Sequence, residues 1–580
     1  MGLDLELLEI SPPGLAYICL GGFVVAFSTV SLLVKEKLYI NEVILGTLFG
    51  IVVGPFCAGI FDPRSWGASS DAITLEVMRV ILATGLFAIG VELPGSYMAQ
   101  HVKGLLILVV PTMAFGWVIV AALLHALFPA LGFVSCLAIA ACLTPTDPII
   151  CATIAGGKYA LKHVPRNLRL IISAESAAND GLAYPFLSIA IYLTVETSRK
   201  VAIGKWFLVG WLYQVILGTL LGALLGTGFS YVMRVSHKRG FIDRESYVAQ
   251  YLALALFTIG TPNHICYCFF FVHTTEGVAS TIGSDDLLAA FACGNAISWD
   301  EHFNNVTEDE VFSSVIDLLL NCACFVYIGA WMPFDAFNTP ALGITPWRLV
   351  VLFLAILALR RIPSVLLLYR WVPEIRTWRE ALFTGHFGPM GVGAVFVSTL
   401  ALTRLPKPQD PPADQQELLA AVIQPVVAFV VLGSIIIHGL SIPFFTLSGT
   451  MHSRTRSLMA TLTRPLDGGA EWLAGMRRGP PGGADADAER GAESHTATVV
   501  TFVAPDDVVA EQEDAPVKER LHQGGTIHAD HPSSRPGPGA LEPVQAASVD
   551  AVFSESPVHD REMDIGSALL EAQPATTVAQ

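Results

Sequence analysis

Several clusters of ionisable residues in this 580-residue chain lie inside long apolar stretches, where such groups are rare. A charged side chain at the centre of a membrane helix costs about 2.5–3.5 kcal/mol on insertion scales, so each cluster is a functional candidate. The first is Thr144-Pro145-Thr146-Asp147-Pro148. Each proline removes a backbone donor and crowds the preceding turn, so the spacing predicts a helix that unwinds at 145–148 with a carboxylate at the break. Broken spans of this kind bind ions through freed carbonyls and helix ends; the plain alternative is a kink with a satisfied Asp. The second cluster is Glu175-Ser176-Ala177-Ala178-Asn179-Asp180-Gly181. Glu175 and Asn179 share one helix face, and Ser176 and Asp180 an adjacent one. Oxygen-rich side chains so placed can replace part of the hydration shell of a small hard cation. A carboxylate there can equally take up a proton; the alternative is hydrogen bonding between helices.

Three further stretches belong with these. In Arg360-Arg361-Ile362-Pro363 a buried Arg needs a carboxylate or carbonyl partner, and Glu175 is the expected partner of Arg361. Snorkelling is the alternative if the span ends there. The Gly/Pro density of Gly385-His386-Phe387-Gly388-Pro389-Met390-Gly391-Val392-Gly393 predicts a second broken span. His386 can titrate, although packed histidines are commoner. Asp285 and Asp286 open an apolar block, where acids serve either as helix caps or in a cation path.

The elements that must hold these residues are membrane helices. Hydrophobic residues make up 53% of the chain and charged ones 14%, and the apolar residues fall in blocks long enough to cross about 30 Å of hydrocarbon. About thirteen spans are expected: 14–34, 38–60, 71–93, 103–128, 131–156, 168–195, 206–233, 248–272, 280–298, 312–332, 346–369, 381–403 and 418–445. Backbone groups left unpaired in lipid are costly, so the spans must be helical. The short loops expected inside carry fourteen Lys and Arg against six in the others, which places the N-terminus outside and the tail in the cytosol. The chain thus divides into an extension at 1–13, a transmembrane domain at 14–445 and a hydrophilic tail at 451–580. The tail holds 20 acidic and 10 basic residues, so −10 of the formal −16 charge lies there. Its composition predicts disorder, with a role in binding cytosolic regulators. No basic surface for nucleic acid is indicated. The first apolar block lacks a basic n-region and a small-residue cleavage site, so it reads as a retained span. The ten cysteines lie mostly in apolar blocks and read as small hydrophobes, with neither a disulfide framework nor a zinc site.

Taken together, Thr146-Asp147-Pro148, Ala174-Glu175-Ser176 with Asn179-Asp180-Gly181, Ser284-Asp285-Asp286-Leu287-Leu288-Ala289, Arg360-Arg361-Ile362-Pro363 and Gly388-Pro389-Met390-Gly391-Val392-Gly393-Ala394 resemble the fungal plasma-membrane Na⁺(K⁺)/H⁺ antiporters of the monovalent cation–proton antiporter superfamily. The resemblance covers about residues 10–450. It implies an all-α homodimer whose protomers combine a dimerisation domain with a mobile core of inverted repeats, in which two broken helices cross near the bilayer midplane. By motif match Asp180 is the shared Na⁺/H⁺ carboxylate. Asp147, Ser176 and the Thr146 carbonyl are co-ligands, so that Asp180 and Asp147 hold the Na⁺. Asn179 orients the site, Glu175 pairs with Arg361, and Asp285 and Asp286 match acids implicated in transport. An Asn-Asp pair goes with electroneutral exchange. Animal and many bacterial relatives carry an Arg where Gly388-Pro389-Met390 stands, a loss shared by the fungal branch.

These readings predict a secondary antiporter for Na⁺, Li⁺ and K⁺ that serves cation and pH homeostasis and salt tolerance. No cofactor and no enzymatic activity are expected, and the alkali cations and protons are cargo. The rivals are a non-transporting sensor signalling through its tail, an intramembrane aspartyl protease, for which no Gly-x-Gly-Asp motif is present, and a cation channel, for which no filter-like loop is present. One stretch departs from the family pattern. There Gly260 runs almost directly into Gly277-Val278-Ala279-Ser280, whereas this chain inserts TPNHICYCFFFVHTTE at 261–276. The insert reads as a retained intron that interrupts a span, its Cys-Phe-Phe-Phe run arising from a pyrimidine tract. Transcript sequencing is expected to show messages without these codons as the major form; a majority retaining them would refute the reading.

Overall fold

The computed structural model describes residues 11–270, 285–307 and 312–462. Among them the chain is almost wholly helical. In order the main helices are α1 (Pro12–Leu32), α2 (Glu42–Val53), α3 (Ser70–Glu92), α4 (Val102–Leu127), α5 (Phe133–Leu143), α6 (Pro148–Ala155), α7 (Arg166–Gly181) and α8 (Ala183–Val195). There follow α9 (Gly218–Lys238), α10 (Arg244–Phe270), α11 (Asp286–Ile297), α12 (Phe312–Trp331), α13 (Pro346–Leu359), α14 (Ile362–Leu368), α15 (Trp378–His386), α16 (Val392–Leu402) and α17 (Gln415–Leu462). Seven helical stretches are long and apolar enough to cross a membrane, and four shorter apolar helices accompany them. The protein is a multi-pass membrane protein.

Several expected spans are divided, each with a local cause. The 131–156 span breaks between α5 and α6 at the two prolines, and the 381–403 span breaks between α15 and α16 in the Gly/Pro stretch. Two further divisions were not anticipated. The 346–369 span parts at Arg360-Arg361, where Pro363 has no N–H and its ring crowds the carbonyl of Leu359. The 168–195 span parts at Leu182, where Pro185 stands in the same relation to Gly181. The 248–272 span runs as helix to Phe270, through the first ten residues of the insert. The rest of the insert, the start of the 280–298 span and the tail beyond 462 lie outside the described residues, while 451–462, expected to be part of a disordered tail, continue α17 as helix.

The helices pack in two sets. One contains α2, α3, α9, α11 and α12, with α9 and α3 both laid along α11 and α12 along α2. The other contains α4 to α8 and α13 to α17, the eight half-helices among them. Side-chain hydrogen bonds tie the loops at each end of the bundle. At one end Arg64 donates to the Trp331 carbonyl (2.5 Å), Gln415 to Ala130 (2.9 Å) and Gln416 to Thr194 (3.0 Å). At the other, His101 meets Glu374 (2.6 Å), Asn304 donates to Val91 (2.8 Å) and Arg234 pairs with Asp300. These ends are called the Arg64 face and the Glu374 face.

The first set is held by close approach rather than by bulk. Gly218, Gly222 and Gly226 form a four-residue-spaced row on α9, and a Cβ at any of them would overlap the backbone of Asp285, Ala289 or Cys293 on α11. In lipid, where apolar burial gives no drive between helices, such contact supplies the packing. Replacing Gly222 with Val is expected to lower the thermal midpoint in detergent, by overpacking worth about 1–3 kcal/mol. Gly228→Val, which meets nothing within 4 Å, should leave it unchanged; equal midpoints for the two variants would count against the contact.

Candidate functional site

The two breaks cross, and two charged side chains organise the crossing. Asp147 is the N-cap of α6: its Oδ1 accepts from the Ile150 amide at 2.8 Å. Its Oδ2 accepts from the amides of Val392 and Gly393 at the start of α16. Its own amide donates to the Pro389 carbonyl at 2.8 Å. One carboxylate therefore binds two half-helix N-termini, where unsatisfied amides carry partial positive charge. Arg360 mirrors it. Its guanidinium donates to the carbonyls of Leu143 (2.8 Å), Thr144 (2.8 Å) and Pro145 (3.0 Å) at the end of α5, and to Gly388 just past α15. The negative C-terminal ends thus meet a cation.

A second chain of contacts fixes α7 against this crossing. Asn179 accepts from the Thr146 amide (3.0 Å) and donates to the Thr146 hydroxyl (2.8 Å) and to Glu175 (2.6 Å). Glu175 takes a bidentate pair from Arg361, both contacts 2.7 Å, and Arg361 Nε donates to the Thr384 carbonyl at 3.0 Å. All of these side chains are buried. Ser176 donates to the Ser173 carbonyl of its own helix at 3.0 Å.

Asp180 stands apart. It is 3% exposed, and among the described residues neither carboxylate oxygen has a hydrogen-bond partner. A Cβ at Gly393 would strike that carboxylate, so only glycine lets α16 come so close. Asp180 lines a cavity of about 200 Å³ together with Tyr184, Arg79, Asp285, Asp286 and Arg404, which reaches exposed Thr403 at the Arg64 face. The adjacent acids differ within this cavity. Asp286 is paired with Arg79, which also contacts Glu76 at 3.2 Å. Asp285 caps α11 through Oδ1 to the Leu288 amide (2.9 Å), leaving Oδ2 without a partner. Among the described residues no three Asp, Glu, His or Cys side chains converge to hold a metal ion.

The candidates from sequence therefore gather around the crossing, with different duties. Both oxygens of Asp147, expected as a cation ligand, are engaged by backbone donors. Ser176 meets the Cys151 thiol on α6 besides the carbonyl of its own helix. Two residues escaped sequence reasoning. Arg79 and His438 are ionisable groups inside expected spans and were open to the same rule. His438 sits against the carbonyls of Ser434 (2.9 Å) and His386 (3.0 Å), while the Ser434 hydroxyl accepts from the Met390 amide (2.7 Å). His386 is a packed histidine beside Ser441 (3.0 Å). The carbonyl-binding role of Arg360 had no sequence signal beyond its depth.

Residues 23–265 and 261–447 match the transmembrane sodium/hydrogen exchanger family model in two segments that meet inside the insert. The chain belongs to the sodium/hydrogen exchanger family. The chain is 43% identical over 469 residues to a probable Na⁺/H⁺ antiporter of Schizosaccharomyces pombe, covering 79% of this chain and 59% of that protein. It is 41% identical over 470 residues to the Na⁺/H⁺ antiporter of Saccharomyces cerevisiae, covering 79% and 46%. A second Schizosaccharomyces pombe Na⁺/H⁺ antiporter is 35% identical over 452 residues, covering 77% and 93%. The chain spans about half the length of the first two relatives. Its fold matches the sodium proton antiporter MjNhaP1 of Methanocaldococcus jannaschii with a TM-score of 0.55 at 17% identity, over 75% of this chain and 99% of that one.

The Glu175–Arg361 pair is open to a direct test. Removing one partner strands a buried charge, so Glu175→Leu or Arg361→Leu alone is expected to cost about 3–5 kcal/mol. The double substitution should cost less than either, read as thermal unfolding in detergent; strictly additive losses would show that the pair is not coupled.

Proposed function

We propose that this exchanger carries Na⁺, and also Li⁺ and K⁺, against H⁺ across the plasma membrane, with Asp180 as the exchanged carboxylate. The observation that carries the reading is the free state of Asp180. At the crossing, the oxygens of Asp147 and Glu175 are committed to backbone amides, Asn179 or Arg361, whereas both oxygens of Asp180 are unpartnered and face a cavity. An ionised carboxylate at membrane depth is costly to carry through low dielectric. A bound proton or a bound alkali ion neutralises it, and the two exclude each other. The core therefore moves only with one cargo aboard, and exchange follows. Asn179 does not titrate, so one carboxylate supports one-for-one exchange.

By the Lys/Arg asymmetry the Arg64 face is outside, so the cavity at Asp180 is the outward access route. A proton gradient directed inward then expels alkali cations, which serves salt tolerance and cation and pH homeostasis. The Thr146 carbonyl contributes a secondary oxygen, Asp147 holds the crossing in place beside it, Ser176 supports α7, and Asp285 and Asp286 line the outer approach. The exchanger works as a homodimer, as the shared fold suggests, and its tail is a site for cytosolic regulators.

Reconstitution in liposomes loaded with a pH-sensitive dye tests the assignment. Na⁺, Li⁺ and K⁺ are each expected to dissipate an imposed pH difference through the native protein. Asp180→Asn should reduce all three responses to background while preserving the thermal midpoint; normal exchange by that variant would show that another group carries the cargo.

A further inference from the structure

A second, larger space lies on the other side of Asp180. It is a groove of about 860 Å³ between the two helix sets, walled by α4, α7, α9 and α11. One wall carries Thr219, Thr227, Ser230 and Arg234 along α9, and the groove runs from Ala178, Leu182 and Leu288 at membrane depth to Trp299 and Asp300 at the Glu374 face. Asp180 and Gly181 line the outer cavity, whereas Ala178, Leu182 and Leu288 line the groove. The two spaces thus end on opposite sides of a single layer. In that layer Leu288, which is 7% exposed, seats against Gly181: a Cβ at Gly181 would lie 3.0–3.2 Å from Leu288 Cβ, Cδ1 and Cα. The Leu288 amide is held by Asp285, whose other oxygen has no partner beside the outer cavity.

We propose that Leu288, seated on the bare backbone of Gly181, is the coupling-determining barrier of this exchanger, and that the groove beyond it is the inward route for ion and proton. The inference rests on the reading of Asp180 as the exchanged carboxylate. A mostly apolar constriction stays dry and blocks ions by dewetting. Leu288 therefore seals the inner side while Asp180 faces out. A shift of α7 along α11 by one helical turn, about 5.4 Å, takes Asp180 past the Leu288 side chain into the groove. There the hydroxyls of Thr219, Thr227 and Ser230 and the amide of Asn295 support water around the arriving charge. The absent side chain at 181 is what lets the helix slip past so close a neighbour.

Two substitutions push the barrier in opposite directions, and both are read on the full chain in proteoliposomes. Leu288→Ala thins the seal. Without alkali cation it should collapse an imposed pH difference several-fold faster than the native protein does. Leu288→Trp wedges the passage. It should lose Na⁺-driven exchange yet keep the rise in thermal midpoint that Na⁺ gives the native protein, because the binding carboxylate is untouched. Leu288→Met conserves volume and should behave as native. If Leu288→Ala proves unstable, Leu288→Val is read in its place, with a smaller leak expected. A small-residue variant as proton-tight as the native protein overturns the proposal, and so does a tryptophan variant that exchanges at the native rate. Failure of the underlying reading looks different, since the native protein itself would then show no Na⁺-driven exchange.

Discussion

The structure depends on satisfying four helix ends in the middle of a membrane. Unwinding two spans inside hydrocarbon leaves amides and carbonyls that no water can reach, and each unmet group costs several kcal/mol. Two side chains carry much of that burden. Asp147 collects amides from the starts of α6 and α16, and Arg360 collects carbonyls from the end of α5 and from Gly388. Acid meets positive helix ends and base meets negative ones, so the charges that would be expensive singly are cheap together.

This arrangement has a consequence for the chemistry. Because Asp147 is spent on amides, and Glu175 on Arg361 and Asn179, the polar crossing is rigid and leaves one carboxylate without a partner. Asp180 is left over because the groups around it are already paired with one another. Gly393 and Gly181 flank it for related reasons. The first gives the carboxylate room against α16, and the second brings α7 up against Leu288 on α11.

The two helix sets are built on different physics, which suits their different duties. The set around α11 packs backbone against backbone through the glycine row of α9, a geometry that tolerates little change. The other set holds the divided helices and is joined by buried hydrogen bonds, including Trp117 to the Leu137 carbonyl (2.8 Å) and the Ser434–Met390 contact (2.7 Å). The cavity at Asp180 and the apolar groove both fall between these sets. The space beside Asp180 is therefore shaped by surfaces that belong to separately braced sets.

Much of this was legible in residue types and spacing. Prolines at 145 and 148 announce a break because they lack an amide and crowd the helix, and acids in apolar blocks stand out because hydrocarbon penalises charge. The match of Arg361 to Glu175 was open to the same reasoning, since a buried guanidinium needs a carboxylate or carbonyls. The divisions at Leu182 and Arg360-Arg361 also follow from proline chemistry, although they were passed over in favour of continuous apolar spans. What the chain alone determined is which segments enter the membrane, where they break and which residues are too costly there to be idle. Only the tertiary structure decided which carboxylate stays free. That outcome depends on partners 245 residues away for Asp147 and 186 away for Glu175, brought together by packing that no local pattern encodes.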